Sequence, residues 1–190
     1  MNTKSTFFGK LTKKQMRSKM ILRLKTQKEE DRERKSKIIK EKLFRTSVFK
    51  KAKIVMFYMS FDGEVNTERM IEEAYRLGKI VAVPVCKKHK ITIRPCLLRK
   101  KARIKGGPYG VCEPAVKEYI KLEDLDLVIV PGIAFDKKGN RLGRGRGCYD
   151  YFLKRIPRGA VSIGLAFDFQ ILPSLPATTT DVRIGKVIFA

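Results

Sequence analysis

The spacing of apolar positions divides the chain into a helical front and an α/β body. Met16, Met20 and Leu24 recur at four-residue steps with Ile21 beside them, which predicts an amphipathic helix over about 10–28. A second helix is predicted over about 29–45. Glu29, Glu30 and Asp31 suit the positive end of its dipole, and Ile38, Ile39 and Leu43 form its apolar side. At Lys53 the texture changes: KIVMFYMS is short and almost continuously apolar, as a strand covered on both faces must be. Residues 68–77 have a helical period that stops at Gly78, a natural C′ residue, and IVAVPV follows as a second apolar strand. Residues 90–97 alternate, and Pro95 cannot donate a ladder bond, so they read as an edge or hairpin strand. Gly106, Gly107, Pro108 and Gly110 mark a loop-rich stretch to about residue 113. Strands at 126–130, 161–166 and 187–189 and a helix at 149–156 complete the pattern. Alternating strands and helices predict an α/β fold, a three-layer αβα arrangement with a mostly parallel central sheet. The 190 residues are expected to form a single domain, with basic helices of about 10–46 packed on a body of 53–190.

Composition narrows what such a domain can do. Lys and Arg number 43 against 19 Asp and Glu, a formal charge of +24, so an anionic partner is expected. Residues 1–53 hold 19 of the basic and 5 of the acidic residues. That basic front reads either as a nucleic-acid-binding surface or as the solvated faces of lysine-rich helices whose field also attracts a polyanionic small molecule. Aromatic residues are not interleaved with the basic ones as base stacking requires, which argues against a single-strand binder. Cys86, Cys96, Cys112 and Cys148 form no CxxC pair, and His89 is the only histidine. Zinc sites and Ser-His-Asp relays are therefore excluded for practical purposes. No apolar run approaches the roughly 20 residues of a membrane span, and MNTKSTFFGKLTKK lacks a signal-type apolar core, so a cytoplasmic protein is expected; its cysteines are expected to be free thiols, and the chain a monomer.

The densest chemistry lies in RLGRGRGCYD, 141–150. The strand DLVIV runs into Pro131-Gly132, crosses a loop and reaches Gly143-Arg144-Gly145-Arg146-Gly147 just before a predicted helix. Ligands of open α/β sheets settle at the carboxyl ends of strands. Glycines let backbone approach a phosphate, and arginines add bidentate charge-assisted bonds. The Lys-Ser/Thr ending of a Walker loop and the spacing of a dinucleotide fingerprint are both missing. Taken alone, the pentapeptide reads equally as a flexible basic loop or an RNA-binding segment.

The longer string VPGIAFDKKGNRLGRGRGCYDYFL resembles the signature of the 5-formyltetrahydrofolate cyclo-ligase family, also called methenyltetrahydrofolate synthetases. FYMSFDGEVNTERMI, VCEP and GLAFDFQILPSLPATTTDVRIGKVIF are similar to other parts of that family, and Lys13 and Arg17 match its Lys-x-x-x-Arg, so about 10–190 are covered. The resemblance implies a fold similar to the NagB/RpiA/CoA-transferase-like proteins. It implies cyclisation of 5-formyltetrahydrofolate, with or without a polyglutamate tail, to 5,10-methenyltetrahydrofolate. ATP is the implied co-substrate, becoming ADP and phosphate, and Mg²⁺ the implied metal.

By the same resemblance, Lys13, Arg17, Arg141, Gly143, Arg144, Gly145, Arg146, Gly147 and Tyr149 bind ATP. Met59, Glu64 and Cys148 join the loop residues Arg144 to Gly147 around the folate, and Asp150 and Asp181 hold the metal. Residue by residue, plainer readings stand beside these. Lys13 and Arg17 share one helix face by i, i+4 spacing, as solvated lysines and arginines do. Asp150 reads as a first-turn acid, Met59 as core, Glu64 as a surface acid and Tyr149 as a helix anchor. Where the family has two tyrosines this chain has Cys148-Tyr149, and the basic stretch after Cys86 carries no implied role. Two other functions remain as alternatives: nucleic-acid binding, and a sugar-phosphate isomerase or acyl-CoA transferase, for which no string supplies a base or glutamate nucleophile.

Overall fold

The computed structural model describes residues 11–86 and 91–190, so residue 10 of the predicted first helix, His89 and the start of the predicted 90–97 strand lie outside the described residues. Helix α1 (Lys13–Thr26) opens on a reciprocal cap in which Thr12 Oγ1 accepts from the Gln15 N–H and Gln15 Oε1 accepts from the Thr12 N–H. Its Met16, Met20 and Leu24 are buried, as their spacing predicts. Helix α2 (Glu29–Arg45) buries Ile39 and Leu43. Ile38 is only half-buried, because Ser36 takes an inward position and accepts from the Asn66 N–H. A short helix α3 (Ser47–Lys51), capped by Thr46, was not predicted.

The body runs β1 (Ile54–Met56), α4 (Glu68–Arg76), β2 (Ile80–Cys86), β3 (Ile93–Leu97), β4 (Ile104–Gly106), β5 (Cys112–Pro114), β6 (Leu127–Val130), β7 (Ala134–Asp136), β8 (Arg141–Leu142), α5 (Cys148–Leu153), β9 (Val161–Ala166), β10 (Ile171–Leu172) and β11 (Lys186–Phe189). Six strands form the central sheet in the order β11-β9-β6-β1-β2-β3. All neighbours are parallel except β3, which lies antiparallel on the edge with Pro95 opposite Pro84. Alternate residues face opposite layers. Val55, Val81, Leu127 and Ile129 pack in one cluster with Ile39, Leu43, Phe49 and Ala74 of the helical layer. Met56, Ala82, Val128 and Val130 pack in the other with Phe152 and Leu153 of α5. This is the expected α/β arrangement with its mostly parallel sheet.

Three features were not legible in the pattern. The strands β10-β7-β8 form a second small sheet, whose Ala134, Leu142 and Leu172 pack with Ile133 against Met16 and Met20 of α1. β4 and β5 make a hairpin in the stretch expected to be loop. Strands of two or three residues carry too few positions to express a period. The predicted strand from Lys53 ends at Met56, and Tyr58 and Met59 leave the sheet to line a crevice.

That crevice follows from topology. From β1 the chain winds outward through β2 in one direction, whereas β6, β9 and β11 are added in the other. Strand order therefore reverses between β1 and β6, where the connections on either side splay apart and leave a gap at the carboxyl ends. Among the described residues no helix is long and apolar enough to cross a membrane.

Candidate active site

A cavity of about 670 Å³ opens at that switch point. Tyr58 and Met59 after β1, Cys86 at the end of β2, Pro131 to Ile133 after β6, the loop 143–147 before α5, and Lys13 and Arg17 of α1 enclose it. Every residue singled out for a site role in the sequence lines this one space.

One end is wired by charge. Lys13 Nζ donates to Asp181 Oδ2 at 2.7 Å, and the same oxygen accepts from the N–H and hydroxyl of Thr178. Burial opposes ionisation of Asp181, but these donors outweigh it and hold its pKa below the usual carboxylate value. Arg17 Nε donates to the Gly143 carbonyl at 2.9 Å, and its guanidinium occupies the space beside Gly145, whose φ of +99° a side chain would also strain. Lys13 and Arg17 thus point from the outer face of α1 into the cavity while Met16 and Met20 anchor the inner face.

Arg141 lines the cavity with a side chain that the protein itself engages. Its side chain is 3% exposed, and its guanidinium donates to Asp150 Oδ1 at 2.9 Å and to the Val182 carbonyl at 3.0 Å. Asp150 Oδ1 also accepts from the Val182 N–H. The pair stitches the loop to the chain beside Asp181. One oxygen of Asp150 and one of Asp181 remain without a partner among the described residues.

The other end is more apolar and holds its titratable groups buried. Glu64 is 6% exposed, not the surface acid its sequence context indicates. Its contacts are long: 3.4 Å from Arg144 and 3.4 Å from the Phe61 N–H. Burial therefore prevails over the Arg144 charge and pushes the Glu64 pKa up to about 7. Burial likewise carries the Tyr58 and Tyr149 phenols well above 10, and takes the Cys86 thiol up to about 11. The Tyr149 hydroxyl is sealed from solvent with no hydrogen-bond partner among the described residues, a costly state unless a ligand supplies one. Cys148 and Met59 are half-buried in the same wall.

Arg144 joins the two ends. It leaves the Gly/Arg loop, lies 4.0 Å over the Phe61 ring, and pairs with Asp62 at 3.1 Å besides Glu64. Asp62 and Glu64 converge because the turn between them is strained and pinned. Asp62 has φ +52° and Gly63 φ +78°, and a Cβ on Gly63 would lie 2.1 Å from the Leu24 carbonyl oxygen. Gln27 and Arg32 donate to the Gly63 and Glu64 carbonyls and hold the turn against the helical front. Sequence reasoning missed Tyr58, Cys86, Tyr109 and Thr178 as cavity-side residues and Asp62 as a partner of Arg144. The one local signal was Asp62-Gly63, a turn dipeptide placing two acids around a glycine.

Fold and cavity together define an α/β protein with a crevice, cationic at one end and apolar at the other, at the carboxyl edge of a mostly parallel sheet. The profile of the 5-formyltetrahydrofolate cyclo-ligase family matches residues 10–190, and the chain belongs to that family. It is 29% identical over 188 residues to the 5-formyltetrahydrofolate cyclo-ligase of Mus musculus, covering 93% of each. To that of Haemophilus influenzae it is 34% identical over 145 residues, covering 73% of this chain and 76% of the relative. The fold matches the NMR structure of Aquifex aeolicus 5,10-methenyltetrahydrofolate synthetase with a TM-score of 0.82 at 31% identity, covering 94% of this chain and 90% of that one.

Proposed function

We propose that this chain closes the N5-formyl group of 5-formyltetrahydrofolate onto N10, giving 5,10-methenyltetrahydrofolate as ATP becomes ADP and phosphate. The observation that carries this reading is Arg144, whose guanidinium runs from the Gly/Arg loop to the buried Glu64 and so puts phosphate-type and heterocycle-type walls in one cavity. A formamide carbon is a poor electrophile and its oxygen a poor leaving group. Transfer of the γ-phosphoryl group to that oxygen gives an N5-iminium phosphate. N10 attacks the activated carbon and loses its proton, and inorganic phosphate departs with the former formyl oxygen. Such a transfer is catalysed chiefly by positioning and charge neutralisation.

Lys13, Arg17, Arg144 and Arg146 supply the cations, and Gly143, Gly145 and Gly147 let the triphosphate approach the backbone. Arg141 acts through Asp150, which it orients. Met59, Cys148 and Tyr149 wall the folate, and Glu64 accepts from or donates to its ring heteroatoms, a carboxyl poised near neutrality doing either. Asp150 and Asp181 would hold a Mg²⁺ that arrives with the nucleotide, since each keeps an oxygen without a partner among the described residues and carboxylate oxygens suit that ion. When bound it offsets charge developing on the phosphate oxygens.

The test is direct. Given 5-formyltetrahydrofolate, ATP and Mg²⁺, the protein develops the near-ultraviolet absorbance of the methenyl product with one ADP formed per product. Omitting ATP abolishes it. Absence of product with all three present overturns the reading, and turnover without ATP points to the isomerase or transferase alternative.

A further inference from the structure

The two arginines of the Gly/Arg loop are held by different means. Arg144 is answered by two carboxylates, Asp62 and Glu64, while it stacks on Phe61. The Arg146 guanidinium makes no ion pair or hydrogen bond among the described residues, and segments 1–10 and 87–90 contain no Asp or Glu. What holds it is a ring. Its guanidinium carbon lies 3.7 Å from the centroid of Tyr109, in the turn between β4 and β5.

That turn is built to hold the ring in place. Tyr109 itself takes φ +65°, a conformation side chains other than glycine, Asn and Asp rarely adopt. The Gly107 N–H donates to the Val111 carbonyl and closes the turn. A Cβ on Gly107 would lie 2.6 Å from the Glu113 side chain, so the hairpin is folded tightly on that residue. Glu113 is 4% exposed, accepts from the Cys86 N–H at 2.9 Å and pairs with Lys117 at 2.6 Å. The hairpin is thereby fastened to the end of β2, and both Tyr109 and Arg146 line the cavity.

The physical distinction is one of charge. A carboxylate fixes a guanidinium but neutralises it. An aromatic face fixes it without a countercharge and leaves the in-plane N–H donors free. We propose that Tyr109 is a positioning residue for the phosphoryl transfer, holding Arg146 flat against the cavity wall as an unneutralised fork for the oxygens of the transferring group. This rests on the ATP-dependent reaction assigned above, and it gives the β4–β5 hairpin a part in it.

The test uses Tyr109→Asn and Tyr109→Gly, two ringless residues that the left-handed backbone accepts, with Tyr109→Phe, which keeps the ring. Turnover, ATP affinity by calorimetry and melting temperature are measured for each, alone and with Arg146→Lys, since an ammonium does not lie flat on a ring. Tyr109→Phe is expected to keep kcat/KM within about twofold. The ringless variants are expected to lose about tenfold, with weaker ATP binding and an unchanged melting temperature. In the Arg146→Lys background the same substitutions add no further loss. Ringless variants that match an active wild type overturn the role of Tyr109, as does a loss undiminished in the Arg146→Lys background. An inactive wild type overturns the assigned reaction instead, and ATP affinity then still decides whether Tyr109 acts through Arg146.

Discussion

The two ends of the cavity obey opposite electrostatic rules although Arg144 spans them. At the charged end Lys13 of α1 reaches Asp181 and Arg141 of β8 reaches Asp150, and Asp181 is held ionised in spite of partial burial. At the apolar end the carboxyl of Glu64 has, among the described residues, two hydrogen bonds of 3.4 Å, and burial keeps it, Tyr58, Tyr149 and Cys86 toward their neutral forms. Environments that push neighbouring groups apart in this way suit the different duties that the proposed function asks of them, fixed charges for phosphates on one side and neutral donors and acceptors for a heterocycle on the other.

Removing the span between the ends has the largest expected effect. Arg144→Ala should lower turnover by at least about 10³-fold, as loss of a cation at a transferring phosphoryl group does. Its melting temperature should barely move, because the Asp62 pair is a third exposed and worth less than about 1 kcal/mol, and the buried Glu64, 3.4 Å away with a pKa raised to about 7, takes up a proton when the cation is gone. Asp150→Ala should lose turnover as severely but also unfold more easily. It strands the Arg141 guanidinium, 3% exposed, without its carboxylate, a loss on the order of 3–5 kcal/mol. Asp150→Asn keeps an acceptor for Arg141 and the Val182 N–H, so its melting temperature should recover while turnover stays lost. Thermal scans beside the absorbance assay separate the two, and equal melting of Asp150→Ala and wild type would show that Arg141 does not depend on this carboxylate.

How much of this contrast was legible in the sequence differs between the ends. The charged end was visible because its parts are local: a Gly/Arg pentapeptide after an apolar strand, and Lys13 with Arg17 on one helix face. Even there the burial of Arg141 was hidden, since its partner Asp150 is nine residues on and its carbonyl acceptor at Val182 lies 41 away. The apolar end was nearly invisible. Glu64 reads as a surface acid beside a turn, and what buries it is the docking of Gly63 against the Leu24 carbonyl, an approach between residues distant in sequence. The same holds for Tyr109 on Arg146. In the fold, long apolar runs and helix periods announced the central sheet and α1, α2 and α4, while β4, β5, β7, β8 and β10 were too short to do so.

Glu64→Gln sharpens the comparison through pH. The ordinary Glu pKa is 4.5 and the folded value is raised to about 7, so below 4.5 the proton is held in both folded and unfolded chains and the residue costs no stability. The cost grows as pH rises from 4.5 and is complete above about 7, up to about 3 kcal/mol at 1.36 kcal/mol per pH unit. Glutamine escapes it. The variant should therefore melt above wild type at pH 8 and with it near pH 4.5, while turnover falls by about 10²-fold. A variant that melts lower at pH 8 would mean that Glu64 is stabilised as a carboxylate and that burial does not govern this end.

The smallest expected effects belong to the wall thiols. Cys148, where the resemblance implies a tyrosine, is half-buried beside Tyr149, and burial raises its thiol above the usual value despite the nearby Arg146 charge. A neutral thiol in a wall contributes shape rather than chemistry, so Cys148→Tyr should alter kcat/KM by less than about threefold, chiefly through the KM for the folate. The thiols also report which ligand fills which end. With a disulfide reagent at pH 7, exposed Cys112 should react first and buried Cys96 last, with Cys86 and Cys148 between. 5-Formyltetrahydrofolate should protect Cys86 and Cys148, and ATP alone should not, because both thiols line the apolar end. Protection by ATP alone would place the nucleotide across both ends of the cavity and dissolve the division of labour between them.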